Sequence, residues 1–357
     1  MKNYDIAVIR GDGIGKEVVE EGLKVLTLAS KQHGFGFNFK EYPWGSDYYF
    51  EHGIMMPPEG LDLLSQHQAI FLGAVGHPKL QDHVTLNGLL LPIRRRFDQY
   101  VCERPSVLYD GIESPLSGKR PYDIDMVVIR ENTEGEYANV GGFQYLDFPE
   151  EIGIQTGVFT RKGCERVIKY AFDLARQRNK KNHVTSITKS NAQGYGMLVW
   201  DRAFEAIAES YPDISTESLL IDAAAMDFIR KPEHFDVVVG SNLFGDILTD
   251  IGAIITGSMG LASSANLDPE NRYPSMFEPV HGSAPDIMGQ GIANPMAQIL
   301  TGAMMARHLG ENDAAHNIEN AVRSVLSEGE CLTPDLGGQA STAEVGNAVA
   351  NTLENQL

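Results

Sequence analysis

The chain has 357 residues, of which 43% are hydrophobic and 22% are charged, as is ordinary for a globular protein with one large or two smaller domains. The formal net charge of −19 at pH 7 argues against nucleic acid or an anionic membrane as the main partner. An anionic substrate would therefore need a local cluster of basic side chains, or a metal ion, to bind.

Cysteine usage and hydropathy indicate a reducing, cytoplasmic location. The three cysteines, Cys102, Cys164 and Cys331, are far apart and form no CxxC motif, so they predict neither a disulfide framework nor a zinc knuckle. The apolar run at the N-terminus is brief, and no segment approaches the ~18–20 apolar residues of a membrane span. We therefore expect a cytoplasmic protein without a membrane partner.

Apolar strands alternate with amphipathic helices along the chain. The pattern predicts strands at 5–9, 69–72, 125–130, 184–188 and 236–240. It predicts helices at 16–31, 86–97, 161–178, from about 245, at 294–309 and at the C-terminus. Strands separated by helices of this length indicate βαβ units and a mainly parallel sheet, that is, an α/β fold.

The first predicted strand runs into a glycine-rich loop at 11–16. Its third glycine, Gly15, is one position too early for GxGxxG, and no Ser or Thr follows Lys16 as a phosphate loop requires. The other interpretation is a tight strand-to-helix turn that needs positive φ. Taken alone, the loop leaves a nucleotide site and a structural turn equally open.

Three aspartates are candidate metal ligands. Asp246 and Asp250 are four residues apart at the start of a predicted helix, where like charges repel unless a cation lies between them. A helix N-terminus also favours acidic residues, but that alternative covers Asp246 and not Asp250. Asp222 is a lone acid in an otherwise apolar segment, where a buried carboxylate needs a partner. Ligands that are all oxygen suit Mg²⁺ or Mn²⁺.

Basic and proton-transferring side chains lie at the ends of predicted elements. Arg94 ends a basic helix, Arg104 precedes a proline and Arg130 ends a strand, a common position for α/β sites. Their guanidinium groups can bind carboxylates two bonds at a time. Lys189 ends another strand and can act as a base beside a bound dication, and Tyr137 can relay a proton. A surface role for the lysine and a packing role for the tyrosine are the alternatives.

These segments, in this order, resemble the β-decarboxylating dehydrogenases, the family of isopropylmalate, isocitrate, homoisocitrate and tartrate/D-malate dehydrogenases. The resemblance covers nearly the whole chain. It rests on the two arginines at 94 and 104 and on the segments 11–15, 130–137, 188–191, 242–250 and 278–286. Within the family, the chain is most similar to the tartrate/D-malate branch, on the segments 44–49, 53–57, 97–100 and 274–279.

The resemblance implies an isopropylmalate-dehydrogenase-like two-domain α/β fold with a large, mainly parallel mixed sheet flanked by helices, and not a Rossmann fold. Residues 1–99 and 253–357 would form a discontinuous cofactor-binding domain. Residues 100–252 would form a substrate, metal and dimerisation domain. In the implied homodimer the active sites are shared, because Lys189 and Asp222 would reach across to the partner subunit.

The resemblance also assigns roles within the site. The catalytic residues would be Lys189 and Tyr137, and the ligands of Mn²⁺ or Mg²⁺ would be Asp222, Asp246 and Asp250. The substrate-binding residues would be Arg94, Arg104, Arg130, Asn87 and Leu90. The residues at the NAD cofactor would be Glu278, His281, Gly282, Ser283, Ala284, Asp286, Asn294 and Asp335. K⁺ is a further candidate cofactor.

The resemblance places Asp286 against the adenosine half of the cofactor. Asp286 would accept hydrogen bonds from both ribose hydroxyls and would repel a 2′-phosphate, which predicts NAD rather than NADP. His281 and Asn294 would contact adenine, Asp335 would lie nearby, and Glu278 would lie close to the nicotinamide.

The expected reaction is oxidation of a small 2-hydroxydicarboxylate, D-malate or tartrate, at carbon 2, with β-decarboxylation of D-malate to pyruvate and CO₂. Isopropylmalate enzymes carry an acid at the place of Asn87 and the tartrate/D-malate branch carries Trp, so this chain matches neither. Arg10 and the pair Cys102 and Glu103 depart from the family pattern as well. A 3-isopropylmalate dehydrogenase is the nearest alternative, and the residues alone also leave open an ATP-dependent phosphotransferase and a non-catalytic scaffold.

Overall fold

Uninterrupted apolar runs form the central strands of an α/β protein, which a computed structural model describes over residues 2–356. The strands are β1 (Lys2–Gly11), β2 (Phe35–Glu41), β3 (Ala69–Ala74), β4 (Val101–Val107), β5 (Asp125–Glu131), β6 (Gly135–Gln144), β7 (Ile152–Val158), β8 (His183–Thr188), β9 (Ser215–Leu220), β10 (Val237–Gly240), β11 (Ala265–Leu267) and β12 (Ser275–Phe277). They form a large, mainly parallel mixed sheet, with β6 and β7 as a separate hairpin, so the predicted fold class is confirmed.

Helices flank the strands. They are α1 (Gly15–Gln32), α2 (Ser46–His52), α3 (Gly60–Leu64), α4 (Asp82–Thr85), α5 (Leu91–Arg96), α6 (Arg161–Arg178), α7 (Gly196–Ala208), α8 (Ile221–Arg230), α9 (Asn242–Ile255), α10 (Met296–His308), α11 (Asn312–Glu328) and α12 (Thr342–Glu354). A π-helical turn (Leu86–Leu90) joins α4 to α5, and 3₁₀ turns lie at Pro232–His234, Met259–Leu261 and Pro334–Leu336. None of the helices within residues 2–356 is both long and apolar enough to cross a bilayer.

Unit 1 comprises residues 2–99, 103–124 and 252–356. Its strand order includes β2-β1-β3-β12-β11, in which β1 is parallel to β2 and β3, and β12 is parallel to β3 but antiparallel to β11. Strand β3 is buried along its whole length, as expected for a parallel strand covered on both faces. Helix α1 packs against α10 and α12.

Unit 2 comprises residues 100–102 and 125–251. Four of its strands run in the order β5-β10-β8-β9 and are parallel to one another, with Val237 beside Val127 and Val184, and His183 beside Ser215. Strand β9 lies at the end of this order and is therefore an edge strand. Residues 103–124, which the sequence analysis grouped with the middle segment, cluster with unit 1.

The β6–β7 hairpin of unit 2 carries a row of exposed apolar side chains. Exposures of 44–66% are found for Val140, Phe143, Tyr145, Leu146, Phe148, Ile152 and Ile154. In the register of the hairpin, Val140, Ile152 and Ile154 share one face. Isolated apolar side chains are normal on a protein surface, but several exposed on one face are typical of a protein–protein interface.

Candidate active site

The glycine loop of unit 1 is a tight turn that only glycine can make. Gly11 and Gly13 have φ of 68° and 54°, in the left-handed region. A Cβ at Gly13 would lie 1.9 Å from the carbonyl oxygen of Ser283, and the next residue, Ile14, donates its backbone N–H to that same oxygen at 2.9 Å. Of the two interpretations, the structure shows the tight turn with positive φ, and this turn fixes the position of the segment around Ser283.

Asp12, between the two glycines, ties the loop together from inside. Its buried carboxylate accepts hydrogen bonds from the backbone N–H and the hydroxyl of Ser46, both at 2.7 Å, and from the backbone N–H of Gly76 at 2.9 Å. Charged hydrogen bonds of this kind are worth more than neutral ones. The Asp12 carboxylate therefore connects the glycine loop to the segments that contain Ser46 and Gly76.

A mostly apolar cavity of about 260 Å³ opens in unit 1. Its lining includes four of the residues assigned to the cofactor, namely His281, Ala284, Asn294 and Asp335. A concave, largely apolar site with a few converging polar groups is the usual form of a site for a small molecule or cofactor.

The polar groups of this cavity are held in fixed orientations. Asp335 accepts hydrogen bonds from the Asn294 amide at 3.1 Å and from the hydroxyl of Ser258. His281 Nδ1 lies 3.0 Å from the carbonyl oxygen of Gly282. A carbonyl can only accept, so Nδ1 carries the proton and Nε2 is an acceptor. Burial lowers the pKa of His281 and so favours this neutral form.

The Nε2 atom of His281 is buried and has no hydrogen-bond partner among the described residues. An unsatisfied buried acceptor is unfavourable unless a ligand supplies a donor. The exocyclic amino group of adenine is such a donor, so the cavity fits the adenine half of NAD.

The other residues assigned to the cofactor are distributed along the same loop. Ser283 is buried, and Gly282 and Asp286 are exposed. Ala284 has φ of 39°, a conformation that non-glycine residues rarely adopt and that is frequent at ligand sites. The exposed Asp286 carboxylate accepts no hydrogen bond from the described residues and is therefore open to a donor from solution.

Two of the predicted substrate arginines are buried in unit 1. Arg94 donates from one terminal nitrogen to Glu278 at 2.7 Å, and Glu278 also accepts from the Asn266 amide at 2.8 Å. The Nε of Arg94 is buried and has no hydrogen-bond partner within residues 2–356. Arg104 donates from Nε to the hydroxyl of Ser264 at 3.3 Å. The structure thus pairs a predicted substrate residue, Arg94, with a predicted cofactor residue, Glu278.

The two remaining substrate candidates lie on the π-helical turn. Asn87 is exposed and its amide donates to the carbonyl oxygen of His83 at 2.8 Å. Leu90 is 8% exposed and belongs to an apolar cluster of unit 1. Single π-turns inserted in α-helices occur frequently at functional sites because they redirect the side chains that follow.

Unit 2 gathers three predicted site residues into one cluster. Arg130 donates from Nε and a terminal nitrogen to Asn242 Oδ1, at 3.1 and 2.8 Å, and from its other terminal nitrogen to the Asp246 carboxylate. Tyr137 donates from its hydroxyl to Asp246 Oδ2 at 3.2 Å. Burial and then the Asp246 charge raise the pKa of Tyr137, so the phenol keeps its proton. The structure therefore holds a guanidinium, a protonated phenol and a carboxylate together.

Helix α9 carries both Asp246 and Asp250. The Ser241 carbonyl accepts from the N–H of Gly245 at 2.8 Å, so the helix begins at Asn242, earlier than predicted. Asp246 therefore lies beyond the first turn, and the alternative that it complements the helix N-terminus does not hold. The two carboxylates share one helix face, and their repulsion favours a cation beside them.

Lys189 and Asp222 form an ion pair within unit 2. Lys189 Nζ lies 2.5 Å from Asp222 Oδ1. This hydrogen bond is the main cause of the lowered pKa of Asp222. The expectation that Asp222 is buried is wrong, because its side chain is 61% exposed. The prediction was wrong because the apolar residues near Asp222 belong to another face of the helix. Ala224 and Phe228 are buried on the face of α8 opposite Asp222.

Within one chain, the three predicted metal ligands do not converge. Among the described residues, one group of at least three His, Cys, Asp or Glu side chains has its ligand atoms within 4.8 Å of one another, and it consists of His183, Glu217 and His234. The sequence analysis missed this group because its members are far apart in the chain and carry no motif.

Glu131, which the sequence analysis did not single out, has a carboxyl group with a strongly raised pKa. It is buried and accepts hydrogen bonds from the N–H and hydroxyl of Thr133, both at 2.9 Å, and from the N–H of Glu134. Burial outweighs these hydrogen bonds and raises the pKa of Glu131 to about 7. A carboxyl that is not paired with a cation in a dry site prefers its neutral form.

The pKa of Glu131 makes stability depend on pH. Because its folded-state pKa of about 7 exceeds the ordinary value of 4.5, folding takes up a proton between these values. The stabilising contribution of Glu131 is complete below about pH 4.5 and is lost as the pH rises through about 7. When the pH is raised from about 5 to about 8, the free energy of unfolding measured in urea should fall in wild type. In Glu131→Gln it should fall less, by on the order of 1–3 kcal/mol. The exposed Glu328→Gln is the matched control, and equal pH dependence of all three proteins would contradict the assignment.

Comparison with known proteins places this arrangement in a family. The chain matches the isocitrate/isopropylmalate dehydrogenase family over residues 5–349. It is 52% identical over 355 residues to a probable tartrate dehydrogenase/decarboxylase of Bacillus subtilis (strain 168), and 50% identical over 360 residues to a D-malate dehydrogenase (decarboxylating) of Escherichia coli (strain K12). Each alignment covers 99% of both chains.

A solved structure supports the same conclusion. The isocitrate dehydrogenase from Methylococcus capsulatus superimposes with a TM-score of 0.89 at 36% identity, covering 99% of this chain and 100% of that chain. The fold is thus that of a two-unit α/β dehydrogenase. This chain belongs to the isocitrate/isopropylmalate dehydrogenase family, as its motifs predict, and is an oxidoreductase rather than a phosphotransferase or a scaffold.

Proposed function

We propose that the protein oxidises D-malate or tartrate at carbon 2 with NAD and Mn²⁺ or Mg²⁺, and that it decarboxylates the product of D-malate to pyruvate and CO₂. The observation that carries the proposal is the cluster of Arg130, Tyr137 and Asp246. The arginine can bind a carboxylate, the tyrosine can donate a proton, and the aspartate can ligate a metal ion. The relatives that are 52% and 50% identical to this chain are named as a tartrate and a D-malate dehydrogenase, which supports the choice of substrate.

The acids of the site fit a hard divalent cation. Asp246 and Asp250 repel each other on one face of α9 and offer oxygen ligands alone. We assign the metal to these two carboxylates and to Asp222 of the partner subunit, because a single chain does not bring Asp222 to them. Bound there, the cation would polarise the 2-hydroxyl and stabilise the enolate left by CO₂ loss.

The chain's own side chains then bind the substrate and move its protons. Arg94, Arg104 and Arg130 are assigned to the substrate carboxylates, which their guanidinium forks match in geometry. Lys189, as the neutral amine, accepts the proton of the 2-hydroxyl, and the Asp222 carboxylate at 2.5 Å then holds the resulting ammonium in place. Tyr137 donates its phenolic proton to the carbon that loses CO₂.

The homodimer is part of the proposal. The exposed apolar side chains of the β6–β7 hairpin provide a surface that a second copy of the chain would cover. A dimer built on unit 2 also accounts for the separation of Asp222 from the pair on α9.

Substrate competition tests the proposed reaction. NADH formation is followed by its absorbance with Mn²⁺ and with D-malate, L-tartrate or 3-isopropylmalate in parallel assays. D-malate and tartrate should give the higher kcat/KM, and pyruvate should appear in step with NADH from D-malate. A higher kcat/KM for 3-isopropylmalate would overturn the substrate assignment in favour of the alternative enzyme.

The cofactor preference rests on Asp286 and has its own test. Asp286→Lys should reduce the ratio of kcat/KM for NAD to that for NADP by about 10–100-fold, since it removes a ribose acceptor and a charge that repels the 2′-phosphate. The matched control is Asp313→Lys on the surface of α11, which makes the same change in net charge. An unchanged ratio in Asp286→Lys would show that another residue selects the cofactor.

A further inference from the structure

A second group of potential metal ligands lies at the edge of unit 2, on different elements from the acids of α9. His183 begins β8 and is paired with Ser215 at the start of β9. Because side chains two residues apart in a strand share a face, Glu217 lies on the same face as Ser215. His234 ends the 3₁₀ turn that precedes β10. Three separate elements thus bring two imidazoles and a carboxylate together.

Hydrogen bonding fixes the tautomer of His183. The hydroxyl of Ser215 donates to the carbonyl oxygen of Asn182 at 3.1 Å. The same hydroxyl oxygen lies 2.9 Å from His183 Nδ1 and therefore accepts the proton of that nitrogen. The lone pair of the imidazole is left on Nε2. This is the arrangement of a metal-binding histidine, whose second nitrogen donates to a fixed protein oxygen.

The Nε2 of His183 is buried and has no hydrogen-bond partner among residues 2–356. It lies 3.8 Å from Glu217 Oε2, too far for a hydrogen bond but across a gap that a cation can bridge. His234 Nε2 approaches the same carboxylate oxygen to 2.9 Å. All three ligand atoms lie within 4.8 Å of one another.

The spacing fits a tetrahedral centre after small side-chain rotations. Metal–ligand bonds of about 2.0–2.1 Å place the ligand atoms of a tetrahedral zinc site about 3.3 Å apart. Both histidines and the glutamate are between 15% and 38% exposed, so water can supply a fourth ligand. Two imidazoles favour zinc and its borderline neighbours over Mg²⁺, which prefers oxygen ligands alone.

We propose that His183, Glu217 and His234 bind one zinc-class divalent cation with water as the fourth ligand, at a site separate from the Mn²⁺ or Mg²⁺ site of the proposed reaction. The bound cation would join the edge strand β9 to β8 and to the turn before β10. Its effect is therefore structural, since it ties down the strand with one unpaired edge.

Zinc titration of the metal-free, full-length protein tests the site. Excess Mg²⁺ is present to occupy the oxygen ligands, and a chromophoric chelator competes for zinc. Wild type should bind one equivalent per chain, and its Tm should rise by about 2–4 °C at a hundredfold excess over Kd. His234→Asn and Glu217→Gln should each weaken binding by at least about 10-fold and abolish the Tm shift. His316→Asn, an exposed histidine of α11, is the matched control.

A double variant separates this site from the acids of α9. The double variant Asp246→Asn with Asp250→Asn should keep the zinc stoichiometry and the Tm shift. Cobalt(II) bound to either protein should show the visible spectrum of nitrogen ligation. Wild-type zinc affinity in His234→Asn, with folding verified by circular dichroism, would overturn the proposal. So would loss of zinc binding in the aspartate double variant, or no stoichiometric binding in wild type.

Discussion

Lys189→Met should lower kcat for D-malate oxidation by about 10²–10⁴-fold, the range expected when a general base is lost. Methionine keeps the length and apolar stem of lysine but cannot accept the proton of the 2-hydroxyl. KM should change far less, because the carboxylates of the substrate are assigned to the arginines. Initial rates of NADH formation at saturating Mn²⁺ measure both constants. Lys79→Met, at an exposed loop position, is the control.

Mixing inactive variants tests whether Lys189 acts in its own subunit or in the partner. Lys189→Met and Asp246→Asn are each inactive alone if both residues are needed. In a mixed dimer with shared sites, one site receives both wild-type residues, so random reassociation should restore about a quarter of wild-type activity. If each site lies within one chain, mixing restores nothing. That result would leave the role of Lys189 in place but would reject the shared site.

The sheet could be predicted from the sequence because its inner strands are continuous apolar runs. Strands β3, β5 and β10 are buried almost throughout, and each was found within about two residues of its predicted place. The β6–β7 hairpin was missed. Its strands contain several glycines and are mostly exposed, so neither burial nor alternation marks them.

The sequence indicates candidate residues for the site but not which of them pair with one another. The sequence pattern indicated Asp246, Lys189 and Arg94 because each lies near the boundary of a predicted helix or strand. The partner of Arg94, Glu278, is 184 residues away, and no local rule joins the two. The group of His183, Glu217 and His234 depends in the same way on the register of β8 against β9 and on the turn that ends at His234. Register is set by packing of the whole sheet, which local patterns do not specify.

Asp246→Asn should weaken Mn²⁺ binding by at least about 10-fold and lower kcat/KM for D-malate by about 10²–10⁴-fold. The amide keeps the size of the side chain and one oxygen, but it removes the negative charge that a hard cation requires. Mn²⁺ affinity is measured directly by electron paramagnetic resonance of the free ion, and activity in the presence of added Mn²⁺.

A purely structural role for Asp246 predicts a different pattern. The Asp246 carboxylate accepts from Arg130 and Tyr137, so the variant also loses a buried charge partner for the arginine. Breaking such a pair destabilises the fold whether or not a metal binds. Asp250→Asn separates the two roles, because it lies one turn along α9 on the same face and is exposed. If Asp246 and Asp250 are joint ligands, both variants lose Mn²⁺ affinity, although only Asp246→Asn removes the carboxylate paired with Arg130. Wild-type Mn²⁺ affinity in both variants would leave the ion pair with Arg130 as the function of Asp246 and would remove the metal from the proposed mechanism.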